Sequence, residues 1–161
     1  MCGLSCVAIF GNRVQNRAMP AKPHVEQLAP HLYLQSYPAK LSDSDLADFL
    51  SLLEEMQPGL NRPFSWIADF RAVQGASARQ RKMMADFQGR VAELDRLFNA
   101  GTALVVSNGL VRGLVTAVFW LAPPAYPTTV VERRGQALSW SAGQLEKRGV
   151  TVDVAGVVGL M

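Results

Sequence analysis

Two small groups of polar residues carry the chemistry open to this chain. Asp69, Arg71 and Ser77 fall in one short stretch, and Ser107, Asn108 and Arg112 form a second group further on. A carboxylate, two guanidinium groups, two hydroxyls and an amide at the ends of strands and the starts of helices suit an anion. A phosphate or carboxylate there would meet free backbone N–H donors and the positive end of a helix dipole. The competing reading is that Asp69 and Arg71 pair with each other or cap neighbouring loops. General acid–base and nucleophilic chemistry are poorly supplied. The two histidines, His24 and His31, both lie near the amino end, and nothing resembles a nucleophile elbow or a phosphate-cradling glycine loop. Cys2 and Cys6 are the only cysteines, and a Cys-x-x-x-Cys pair with no neighbouring His is a poor metal site. No metal or cofactor is expected.

The elements that must position these residues start from Ser65-Trp66-Ile67-Ala68-Asp69-Phe70-Arg71. This reads as a buried strand, followed by a polar turn over 72–76 and a long amphipathic run from Ser77 to Phe98. Met84, Phe87, Val91, Leu94 and Phe98 recur at helical spacing, while Arg81, Asp86, Arg90, Glu93 and Arg96 fall largely on the other side. Ser77 precedes Gln80 by three residues, a capping box that makes Ser77 a helix start.

Around this unit the pattern repeats. His24–Leu28 reads as an edge strand, joined by a hairpin to a strand over His31–Tyr37 with Leu32 and Leu34 on one face and Tyr33, Gln35 and Tyr37 on a polar one. Ser42 caps a first helix whose stripe is Leu46, Phe49, Leu50, Leu53 and Met56. Asn99-Ala100-Gly101 is expected to close the long helix before a strand over Thr102–Ser107, and Asn108 to cap a helix from Gly109 to Ala122. A strand over Thr128–Glu132 and a helix over Gln136–Arg148 follow, with Gly149 supplying a left-handed cap. The alternation of Val150, Val152 and Val154 leaves the tail open between an added edge strand and a frayed end.

The expected fold class is α/β, a four- to five-stranded mostly parallel sheet with packed helices. At 161 residues, 49% hydrophobic and 18% charged, the chain is sized for one domain with a real core. Its division is a leader over 1–23, a domain over 24–149 and a tail over 150–161, with Met19 as an alternative start. Arg13 and Arg17 supply two of the three net positive charges, so the domain lacks the basic balance of a nucleic-acid binder. Leu4–Phe10 is a very short apolar run for a secretory signal and lacks a basic n-region and a small-x-small cleavage site, and Pro123-Pro124 stops the apolar run from Gly109 far short of a membrane span, so a cytoplasmic location is expected.

The order and size of elements over residues 24–149, with the Asp69-Phe70-Arg71 strand end followed by a helix capped by Ser77, resemble the STAS domain. That is the SpoIIAA-like fold of the bacterial anti-sigma-factor antagonists. The resemblance implies a regulatory, protein-interaction module without enzymatic activity. In that family a Ser at this helix start is phosphorylated by a partner kinase, and the surface around it binds the partner. Ser77 falls at or near that position, within Gly75-Ala76-Ser77-Ala78 where the family carries Asp-Ser-Ser-Gly. The alternative class is a domain that binds a small anion, or acts on one, in the strand-end crevice.

The helix from Gly109 to Ala122 is apolar nearly all round, with Arg112 and Thr116 as its only strongly polar members. Packing on a sheet alone would leave Val111, Val118 or Trp120 facing water. A protein partner or a second copy of the chain is one cover for them; the amino-terminal segment or the tail from Val150 is the other.

Overall fold

A computed structural model describes residues 21–158, so the expectations for Cys2, Cys6 and Met19 lie outside the described residues. Ten main elements follow in order: β1 (His24–Ala29), β2 (Leu32–Ser36), α1 (Asp43–Met56), β3 (Phe64–Asp69), α2 (Ala78–Phe98), β4 (Asn99–Val105), α3 (Gly109–Leu121), β5 (Thr128–Val131), α4 (Arg134–Glu146) and α5 (Val154–Val158). The strands form one sheet in the order β1-β2-β3-β4-β5. β1 and β2 are an antiparallel hairpin, turned through His31 at φ 69°, and β2 to β5 run parallel. β3 is central and buried along its whole length, Ser65 and Asp69 included, as befits a strand covered on both faces. This is the mixed α/β architecture expected of the STAS-like resemblance.

The sheet grows in one direction from β2 to β5. Right-handed crossovers therefore place α1, α2 and α3 on the same face. There Leu46, Phe49, Leu50 and Leu53 of α1 and Phe87 and Val91 of α2 pack on Phe64, Trp66, Ala68 and Leu104. The opposite face, carrying Leu32, Leu34, Ile67, Ala103 and Val105, is covered by Ala137, Leu138 and Leu145 of α4 and Val157 of α5. The turn that follows α4 closes at Gly149, whose φ of 79° is the left-handed conformation expected there and whose N–H donates to the Glu146 carbonyl.

Three details differ from the sequence reading. The face of β2 bearing Tyr33, Gln35 and Tyr37 is not a solvent face. Helices cover both sides of the sheet, so Gln35 and Tyr37 are buried, with Tyr37 stacked on Phe70. Asn99 caps the end of α2, its N–H donating to the Asp95 carbonyl, and Asn99-Ala100-Gly101 at the same time opens β4, with no linker between the two. A Cβ on Gly101 would lie 2.7 Å from the Trp140 ring of α4, so glycine is required by close packing across the sheet and not by a helix cap. Finally, the tail neither adds a strand nor frays over 154–158: Asp153 Oδ1 accepts from the Gly156 N–H at 3.2 Å, and the short α5 that follows buries Val157.

Candidate functional site

The carboxyl ends of the parallel strands gather most of the residues singled out above. Asp69, the last residue of β3, is buried and is held by cations from two elements. Arg71 donates from its backbone N–H and Nε to Oδ1 and from Nη2 to Oδ2, at 3.0, 3.0 and 2.8 Å. Arg134, in the first turn of α4, reaches across β4 to donate from Nε to Oδ2 at 2.6 Å. Burial pushes the Asp69 pKa up, but the hydrogen bonds from Arg71 and Arg134 outweigh it and hold the carboxylate below its usual range. The cluster fastens the strand end, the following loop and α4 to one another. Arg134 was not anticipated; its signal is an Arg pair one residue beyond the last strand, where a parallel sheet delivers side chains to the same edge.

Ser77 sits at the other end of that loop, exposed, with the capping box complete. Its Oγ accepts from Gln80 N–H at 3.1 Å while Gln80 Oε1 accepts from Ser77 N–H at 3.0 Å. Gln80 also donates to the Leu41 carbonyl at 2.7 Å, tying the cap to the segment before α1. On β4 the chain leaves the sheet through exposed Ser107 and Asn108, and Asn108 Oδ1 accepts from Val111 N–H at 2.8 Å to cap α3. Arg112 is exposed on the outward side of α3, near Thr116, whose hydroxyl donates to the Arg112 carbonyl. Asp69 and Arg71 thus meet in one ion cluster, whereas Ser77 stands at the start of α2 and Ser107, Asn108 and Arg112 at the start of α3, around the same edge.

α3 lies over the sheet with only Val111 fully buried. Val118 is half-buried, and Trp120 points outward at 84% exposure; Leu121 after it is exposed, as is Leu110 at the opposite end of the helix. Between α3, α2 and the 73–76 loop runs a cleft of about 100 Å³ lined by Leu41, Val73, Met84, Leu114, Val115 and Val118, carbon surface almost throughout.

Below the cleft, against the sheet, is a chamber of about 50 Å³ of different character. Asp95 of α2 enters it from the helical layer, buried, with Asn99 Nδ2 donating to its Oδ1 at 3.4 Å and the Gln57 amide also hydrogen-bonded to it. Burial pushes its pKa up to about 6, and the amide hydrogen bonds only partly offset that rise. The Tyr126 hydroxyl donates to Gln88 Oε1 at 3.2 Å, and burial followed by the nearby Asp95 charge pushes its pKa up to about 12. The Tyr37 hydroxyl donates to Gln35 Oε1 at 3.0 Å. None of this chamber was read from the sequence: its polar residues come from β2, the turn after α1, α2, β4 and the segment before β5, and no local motif links them.

Among the described residues, no group of three or more His, Cys, Asp or Glu is arranged to hold a metal ion, and no helix is long and apolar enough to cross a membrane. No family model matches the chain, and no curated protein matches it. Among solved structures it is similar to an uncharacterised protein of the DUF3478 family from Shewanella loihica PV-4, described as having a SpoIIAA-like fold. The identity is 17% and the TM-score 0.49, over 74% of this chain and 91% of that one.

Proposed function

We propose that this chain is a non-enzymatic regulatory module of bacterial STAS-like type, acting in the cytoplasm by binding a protein partner through α3 and the 71–77 loop. The observation that carries the reading is the exposure of Trp120 and the Leu121 that follows it, at the end of a helix that buries a single residue completely. Adjacent exposed large apolar side chains mark contact sites, and Trp is among the residues enriched where binding energy concentrates. The exposed loop bearing Ser77 borders the same cleft as α3, so one partner can touch both. A phosphate on Ser77 would stand at the amino terminus of α2, where the dipole favours it, and would change the charge of that surface without dismantling the helix. The scarcity of general bases argues against an enzyme.

The test is affinity capture from the native host with the full chain, wild type against Trp120→Glu, with light scattering on both proteins. A defined protein retained by the wild type and lost with Trp120→Glu, or a wild-type oligomer that the substitution dissolves, is expected. A monomer that retains nothing, or a partner held equally by Trp120→Glu, would overturn the assignment.

A further inference from the structure

At the amino ends of the parallel strands, opposite the edge that holds Asp69, the turn between β1 and β2 and the loop after α1 enclose a pocket of about 160 Å³. Its polar lining is Gln27, His31, Tyr33, Asn61 and Arg62, and the buried Leu60 and Phe64 supply much of its apolar part. Among the described residues that line it, Arg62 carries the only fixed charge, and there is no carboxylate. None of the five polar side chains makes a hydrogen bond or an ion pair with another described residue. Gln27, Asn61 and Arg62 are exposed and His31 and Tyr33 are half-buried, so a ligand can reach all five.

The turn that carries His31 departs from the residue choice its backbone favours. Between the paired Ala29 and Leu32, Pro30 followed by a residue at φ 69° is the arrangement of a type II turn, whose third position ordinarily takes glycine or asparagine. His31 is the only non-glycine residue with positive φ among the described residues, and a side chain there is held against its backbone preference. The hairpin maintains it on one side and Ser65 on the other, whose N–H donates to the His31 carbonyl at 2.8 Å. The facing loop is fixed as well, with Leu60 buried and its N–H donating to the Gln57 carbonyl at 2.9 Å. A glycine would close the same turn without strain. What it would lack is an imidazole in the wall of a pocket that Arg62 also lines.

An exposed guanidinium presents paired N–H donors in a fork that matches an oxyanion. The Gln27 and Asn61 amides add neutral donors, and an imidazole offers an N–H in either protonation state. Burial raises the Tyr33 pKa, which keeps its hydroxyl a donor as well. A cationic ligand would meet Arg62 and no compensating carboxylate. An apolar cavity of about 150 Å³ holds benzene, so the space suits a group of about that size. We propose that this pocket binds a small oxyanion, a phosphate or carboxylate borne on a body no larger than one ring, with Arg62 and His31 as its main contacts. It shares no lining residue with the cleft between α2 and α3, so it stands independently of the partner surface proposed above.

Proton–nitrogen correlation NMR of the full chain, titrated with phenyl phosphate, benzoate or benzyl alcohol, tests the assignment. At least one of the anions is expected to bind with a Kd at or below about 1 mM, a realistic strength for a ligand of this size. It should bind at least about tenfold more tightly than the alcohol, which lacks the charge that Arg62 meets. The backbone amides of His31, Asn61 and Arg62 should shift, and the tighter of the two anions identifies the headgroup. Arg62→Gln should weaken that anion at least about tenfold, by removing the charged fork. His31→Gly should weaken it at least about threefold through loss of one donor, with a Tm equal to or above that of wild type because glycine relieves the turn. A histidine kept only for the fold would give the reverse, a lower Tm with unchanged binding. Absence of anion binding, an alcohol that binds equally well, shifts confined to the Arg71 and Arg134 edge, unchanged affinity in either variant, or a His31→Gly less stable than wild type would each overturn the proposal.

Discussion

Asp95→Asn should make the protein more stable at neutral and alkaline pH. The Asp95 carboxyl has a folded pKa of about 6 against 3.8 in the unfolded chain. Because the folded value is raised, the native state binds more protons than the unfolded state between those two values, so stability falls as pH rises through that window and stays lower above it. A difference of about two units at 1.36 kcal/mol each is a loss of about 3 kcal/mol by pH 8. An asparagine carries no charge to desolvate, and its amide can still pair with Asn99 and Gln57. Allowing about 1 kcal/mol for imperfect hydrogen bonds, the substitution should gain about 2 kcal/mol at pH 8, or some 4–8 °C in Tm for a chain of this size, and little or nothing near pH 4. Urea melts followed by circular dichroism at both pH values measure this. Taking the difference between the two proteins at each pH cancels the other titrating groups. Parallel stability curves for the two proteins, or an Asp95→Asn that is the less stable at pH 8, would refute the account of a carboxylate charged at a cost.

Further substitutions at Ser77, Gly101 and Trp140 test the frame. Ser77→Ala should cost about 1 kcal/mol in urea melts and Ser77→Asp close to nothing, since a carboxylate caps as well and suits the dipole; equal stability of the Ala variant and wild type removes the cap from the argument. Gly101→Ala should lose about 1–3 kcal/mol by overpacking against Trp140, and Trp140→Leu should recover part of that loss, a double-mutant cycle with no coupling being the contrary result.

Much of the frame was legible because it is written locally. The run Ser65 to Phe70 allowed only a buried strand, and Ser77 with Gln80, Ser42 with Asp45 and Asn108 before an apolar stretch each marked a helix start that the structure contains. What could not be read depends on other layers. The polar look of Gln35 and Tyr37 is the same whether water or a helix stands opposite, and only the placement of α1 and α2 decides it. Gly101 looks like a helix terminator until Trp140, far along the chain, is brought against it. Arg134 reaches Asp69 only because β5 lies beside β4 and β4 beside β3. Val111 and Trp120 are nine residues apart on one apolar helix, yet the first points at the sheet and the second at solvent; composition had no means of separating them.

The strand order has a consequence for how the chain acquires its fold during synthesis. Each strand pairs with the one made just before it, so the sheet can lengthen stepwise as residues leave the ribosome, and α1, α2 and α3 are available to close one face as it grows. The other face has no such early cover. Leu32, Leu34, Ile67, Ala103 and Val105 stay bare until α4 and α5, which follow all five strands, have been translated. A nascent chain stalled or cut before Arg134 therefore presents a broad apolar sheet surface, the kind of intermediate that chaperones retain and that aggregates without them.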